Sequence, residues 1–222
     1  MSVPTCALCG SPRKLEQSHI IPQFVYRWAK TTGHEIPRGS TRAMLCGECE
    51  DLFSAQESEF ARLVFHPVAA GSPLSAKYGG WLRKFAASVC WRILEERGAL
   101  DGLAGFTGRW AGEAASCRAA WRDYLLGRRP DVGPHHLHLL PVGTLPDGVR
   151  RASGVAPAYG TNLAGLVASD VCCTDSEAFV GARLGPVVLV GLIADPNPQL
   201  WRGTRINAEG KLKPRDVGVP PP

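Results

Sequence analysis

Apolar positions in this chain follow two spacings, and the spacing changes about two-thirds of the way along. Early on they recur at helical intervals. In QFVYRWAKTT, residues 23–32, Phe24, Val25 and Trp28 share a face, Pro22 opens the segment and Gly33 closes it, which predicts a helix. Just before it, LEQSHII is short and partly β-branched and reads as an extended strand running into Pro22. The polar stretch GHEIPRGSTRAM, residues 33–44, reads as a loop. A second helix is expected from about Glu50 to Phe65, with Phe53, Phe60, Leu63 and Val64 at helical spacing and Pro67 stopping it. Along that helix Glu50, Ser54 and Glu57 fall on one stripe.

Two further helices follow. YGGWLRKFAASVCWRILEERG, residues 78–98, stacks Trp81, Phe85, Val89 and Ile93 every four positions and reads as amphipathic. RWAGEAASCRAAWRDYLLGRR, residues 109–129, is the next. The spacing then shortens. HHLHLLPVG, TNLAGLVASDVCC, EAFVGARL and GPVVLVGLIAD are apolar or β-branched runs bounded by Gly, Pro or Asp, and predict strands of a small antiparallel sheet. The last residues, KLKPRDVGVPPP, read as a loose tail. The fold class expected is α+β: a cysteine-rich module over residues 1–67, an α+β domain of unassigned role over 68–215, and a flexible tail over 216–222.

The eight cysteines sharpen this picture. Four form two Cys-x-x-Cys pairs, Cys6 with Cys9 and Cys46 with Cys49; the others, Cys90, Cys117, Cys172 and Cys173, are scattered. Two such pairs supply four soft thiolates to one tetrahedral Zn²⁺, each pair from one tight turn. The ion would hold together segments too short to bury an adequate core. The N-terminus has no basic segment followed by an apolar run, and no apolar stretch reaches membrane-spanning length. These features lead us to expect a cytoplasmic protein in a reducing compartment with no membrane partner. The net charge of +5 is compatible with nucleic-acid binding without requiring it.

Between the pairs stands a lone histidine, His19, in the run Ser18-His19-Ile20-Ile21-Pro22. Cys6-x-x-Cys9, then a short strand ending in His19-Ile20-Ile21-Pro22, then Leu45-Cys46-x-x-Cys49 opening a helix, resembles the HNH endonuclease family (His-Me finger) over about the first 65 residues. The resemblance implies a ββα-metal module of zinc-bearing treble-clef type, in which the four cysteines are structural. It implies a phosphodiester hydrolase acting on nucleic acid, DNA in the first instance, in a bacterial setting. His19 would be the general base. Glu50, just after the last cysteine, would hold a catalytic Mg²⁺ or Mn²⁺; apart from the resemblance, Glu57, two helical turns along the same stripe, could add a second carboxylate ligand. The chemistry is coherent: hydrolysis needs a deprotonated water and charge neutralisation on the phosphate, which an imidazole and a hard cation supply.

Three positions depart from the family pattern. Ser18 stands where an Asp is usual, Glu50 where a His or Asn is usual, and no Asn occurs between Pro22 and Cys46. A second function class therefore stays open: a catalytically inactive zinc module that binds nucleic acid or protein. His19 is then a hydrogen-bonded strand residue, and Glu50 and Glu57 are carboxylates favoured near a helix N-terminus. Glu16, two before Ser18, shares its side of the strand. Arg13, Lys14, Arg27, Lys30, Arg38 and Arg42 form either a phosphate-attracting surface or an ordinary solvated face, and Tyr26 and Trp28 are either stacking platforms or core. His135, His136 and His138 are strand residues before they are ligands. A protein partner through the C-terminal domain is a further expectation.

Overall fold

A computed structural model describes residues 3–33, 39–101, 106, 109–142, 166–173, 177–194 and 204–212. It is a mixed α/β structure with two antiparallel sheets. The first pairs β1 (Glu16–His19) with β2 (Thr41–Leu45), Ser18 opposite Arg42 and His19 opposite Thr41. Between them runs α1 (Gln23–Thr31), where the sequence places it, closed by Thr32 and by Gly33 at positive φ.

Two boundaries differ from expectation. The segment read as a loop over residues 33–44 contains most of β2, whose Met44 and Leu45 are buried. Its polar start hides the alternation, and pairing with β1 makes it a strand. The second helix begins earlier and ends later than its pattern predicts. α2 (Gly47–Phe60) passes into a π turn (Ala61–Phe65) and then α3 (His66–Ala69), so Pro67 does not stop it. The His66 amide bonds to the carbonyl of Ala61, five residues back. This wider turn re-routes the ladder where Pro67 has no N–H to give and its ring would crowd the Leu63 carbonyl.

α4 (Gly80–Asp101) and α5 (Arg109–Leu125) follow, then a four-stranded sheet of order β3-β6-β5-β4. Its strands are β3 (Leu137–Pro141), β4 (Val167–Cys173), β5 (Ala178–Leu184) and β6 (Val187–Ala194). Residues 161–165 of the expected third strand segment, and 213–222 of the expected tail, lie outside the described residues.

α4 packs against α2, α5 and each strand of this sheet. Every residue from Phe85 to Leu94 is buried, so this part of α4 has no solvent face, unlike the amphipathic helix its pattern predicts. The reason is its position between α2 on one side and the sheet on the other. On β6 the side chains alternate: Val187, Leu189 and Ile193 join the main core, while Val188, Val190 and Leu192 form a smaller cluster on the opposite face. Gly191 lets the helices approach, since a Cβ there would sit 2.5 Å from the Trp121 ring and 3.0 Å from Cys90 Sγ.

The main core runs without a break across residue 67. Phe60 from α2 stacks on Phe85 from α4 at 3.9 Å between ring centroids. Phe65 from the π turn meets Phe24 and Trp28 of α1 edge-on, at 5.0 and 5.2 Å. These rings fix α1, α2 and α4 relative to one another, and so fix what each carries toward β1.

Candidate metal centre and the His19 site

Each cysteine pair sits on a turn that its neighbours build. At the first, the Gly10 amide bonds back to the Cys6 carbonyl and the Cys6 amide to Ser11, with Gly10 at φ 79°, a conformation that suits glycine. At the second, Cys46 is the residue before α2, and the amides of Cys49 and Glu50 both bond to its carbonyl. The positive end of α2 thus favours the thiolates beside it. The two turns are joined by the Ala7 amide to the Met44 carbonyl and the Cys46 amide to Cys6 Sγ at 3.3 Å.

The four sulfur atoms lie within 4.8 Å of one another. Cys9 Sγ and Cys46 Sγ are 3.9 Å apart, close to the ~3.8 Å edge of a tetrahedron with zinc–sulfur bonds of about 2.3 Å. The residues therefore fit a tetrathiolate ion such as zinc. Cys6, Cys46 and Cys49 are buried. Burial pushes the Cys46 and Cys49 thiols up, while the Ser11 hydroxyl holds that of Cys9 down to about 6. A cation is what would let four such groups ionise together. Arg122 of α5 donates to the Leu8 carbonyl in the first turn, tying this module to the rest of the chain.

Directly after the last cysteine, Glu50 faces the end of β1. Its carboxylate accepts a hydrogen bond from the hydroxyl of Ser18, which is fully buried. Glu50 and His19 are both half-buried. Among the described residues the His19 imidazole has no hydrogen-bond partner. Two turns further along α2, Glu57 accepts a hydrogen bond from Arg92 at 2.7 Å.

Arg92 is the residue that sequence reasoning missed. It is 1% exposed, and its guanidinium also donates to the His19 carbonyl at 2.7 Å and to the Ser88 carbonyl at 3.3 Å. It lies 5.4 Å from the centre of the Phe53 ring. One side chain of α4 thereby grips both the strand end that presents His19 and the helix that presents Glu50. The signal was an arginine inside the apolar run Val89-Cys90-Trp91-Arg92-Ile93-Leu94. A charge inside such a run must be paired.

The other candidates fall elsewhere. Among the described residues the four cysteines are the only group of three or more His, Cys, Asp or Glu side chains close enough to share an ion, so His19, Glu50 and Glu57 do not form a ready three-ligand site. His135 bonds the Ile193 carbonyl at 2.7 Å and His138 bonds Thr204 at 3.0 Å. Burial lowers His138 to about 3 and His136 to about 4, with Arg205 adding repulsion at both. Of the basic residues, Arg13 pairs with Glu48, Lys14 with Glu16 and Arg27 with Gln23. Arg38 lies outside the described residues. Trp28 packs into the aromatic cluster. No described helix is long and apolar enough to cross a membrane. No protein-family model, curated protein or solved structure matches this chain.

Proposed function

We propose that the chain is an HNH-like, metal-dependent endonuclease that hydrolyses nucleic-acid phosphodiesters, with a zinc-held treble-clef module as its base. The observation that carries this reading is the contact between Ser18 and Glu50, which brings the end of β1 against the first turns of α2 with His19 next in line. The succession of β1, β2 and α2 over a four-cysteine cluster is the order the resemblance implies. In this reading zinc is structural and acts by fixing the two turns that carry the strand and the helix.

His19 is the general base. With no protein partner among the described residues, its imidazole is available to take a proton from an attacking water. Arg92 holds the His19 backbone through its carbonyl, and Glu57 in turn holds Arg92, so Glu57 is a positioning residue here. Glu50 would hold Mg²⁺ or Mn²⁺. One carboxylate fits such an ion, which keeps several of its waters. When bound, it would neutralise charge on the phosphate.

One observation favours a different reading, that of a catalytically inactive zinc module that binds nucleic acid or protein. Both carboxylates of the stripe already have partners, Ser18 for Glu50 and Arg92 for Glu57. A plasmid-nicking assay with Mg²⁺ or Mn²⁺ on the wild type and on His19→Ala separates the two. Nicking that is lost in His19→Ala supports the nuclease. Equal nicking by both removes His19 as base, and zinc-loaded protein that binds DNA without nicking it points to the inactive module.

A further inference from the structure

A recess of about 540 Å³ lies between α4, the end of α5 and the segment after it. Gly80, Trp81, Arg83 and Lys84, from the first turns of α4, form one wall; Tyr124, Arg129 and Pro130 form another. Among the described residues none that lines it is acidic. The volume falls within the roughly 300–1,000 Å³ typical of small-molecule sites.

The unusual residue is Arg83. It is 8% exposed, yet among the described residues its guanidinium donates only to neutral oxygens: the Tyr124 hydroxyl at 3.2 Å and the Pro130 carbonyl at 3.1 Å. Its charge lies over the Tyr124 ring, 5.0 Å from the centre. Among the described residues it has no ion pair, in contrast to buried Arg92, which has Glu57. A buried cation without an acid partner is costly and is rarely retained.

The surroundings add positive charge. Lys84 is exposed at the mouth. Arg129 pairs with Asp131 through one terminal nitrogen, while its Nε is buried without a partner among the described residues. Asp131 is the nearby carboxylate; it feels the charge of Arg83, but its hydrogen bonds go to Arg129 and the Gly133 amide. Arg205 is pushed down by burial and by the charge of Arg83. The recess also lies at the positive end of a 22-residue helix. Gln56 places there a buried amide oxygen that has no partner among the described residues, and turning the amide over would present donors instead.

We propose that this recess binds the phosphate group of a small, nucleotide-sized ligand, with Arg83, Lys84 and Arg129 as its cationic contacts. The phosphate supplies the contacting counter-charge that Arg83 lacks among the described residues. The depth of Arg83 favours a small ligand over a polymer, because a polynucleotide backbone would pass over the mouth rather than enter. Trp81 offers the apolar wall against which a planar ring could lie. The proposal does not depend on the reading of His19, which lies on a different element.

The test uses the full chain at constant ionic strength, with calorimetric titration and thermal unfolding in the presence of inorganic phosphate, adenosine monophosphate or adenosine. Phosphate and the nucleotide should bind and raise the melting temperature, and adenosine should not. Lys84→Gln and Arg129→Gln, changes at the mouth that spare the core, should each weaken nucleotide binding about tenfold, the loss expected for a charge-assisted hydrogen bond. Arg83→Met should abolish it while leaving the free chain at least as stable, because an unpaired buried charge is removed. The proposal is overturned if phosphate does no more than chloride, if adenosine binds as well as its monophosphate, or if both mouth variants bind the nucleotide like the wild type.

Discussion

The hydroxyl of Ser18, buried at the end of β1, donates a hydrogen bond to the carboxylate of Glu50 on α2. This contact makes position 18 a sensor of what the site can hold. Ser18→Asp would set a second, buried carboxylate against the first. Without a divalent cation the variant should lose about 1–3 kcal/mol of stability, and added Mg²⁺ or Mn²⁺ should restore most of it. Urea unfolding with and without the metal checks this. A loss that no metal reverses would mean that Glu50 cannot share an ion.

Arg92 joins Glu57 to the His19 carbonyl, and its removal should be felt at both ends. Arg92→Met should destabilise the fold by about 3–5 kcal/mol, since it strands a carboxylate and a carbonyl together. The double variant Arg92→Met with Glu57→Gln should recover part of that loss. Strictly additive losses in denaturant unfolding would show that the pair does not act as a unit.

The sulfur geometry predicts one zinc per chain. Chelation should lower stability by an amount on the order of several kcal/mol, below the roughly 10 kcal/mol or more of peptides that fold only around zinc, because this chain also buries a large core. Elemental analysis of the wild type and of Cys49→Ser measures the stoichiometry. A wild type carrying no metal would remove the tetrathiolate site.

Burial holds His138 at about 3, with His136 and Arg205 adding like charge. Its ordinary value is near 6.5, so between these limits the unfolded chain binds more protons than the folded one. Stability should therefore be intact above about pH 6.5 and fall as the pH drops, by about 2 kcal/mol at about pH 5 from this residue alone. Denaturant midpoints across this range should show the loss, and His138→Gln should flatten it. An unchanged slope in the variant would assign the pH dependence to other groups.

The cysteine cluster was legible in the sequence because each Cys-x-x-Cys pair is a local turn, and local spacing survives folding. The same holds for α1, whose proline start, glycine end and apolar face lie within a dozen residues. β2 was not legible, because its strand character comes from β1 across an intervening helix. Nor was the full burial of α4 around Trp91 and Arg92, which depends on α2 and the sheet closing on it from two sides.

Taken alone, the residues determined that four thiolates could meet at one ion and that His19 stands between the pairs. Only the tertiary structure decided who holds what: Ser18 meets Glu50, Arg92 takes Glu57 and the His19 backbone, and Arg83 donates to the Tyr124 hydroxyl and the Pro130 carbonyl. The reason is range. Turn chemistry and helical spacing act over a few residues, whereas the pairing of a buried charge depends on side chains brought together from distant parts of the chain.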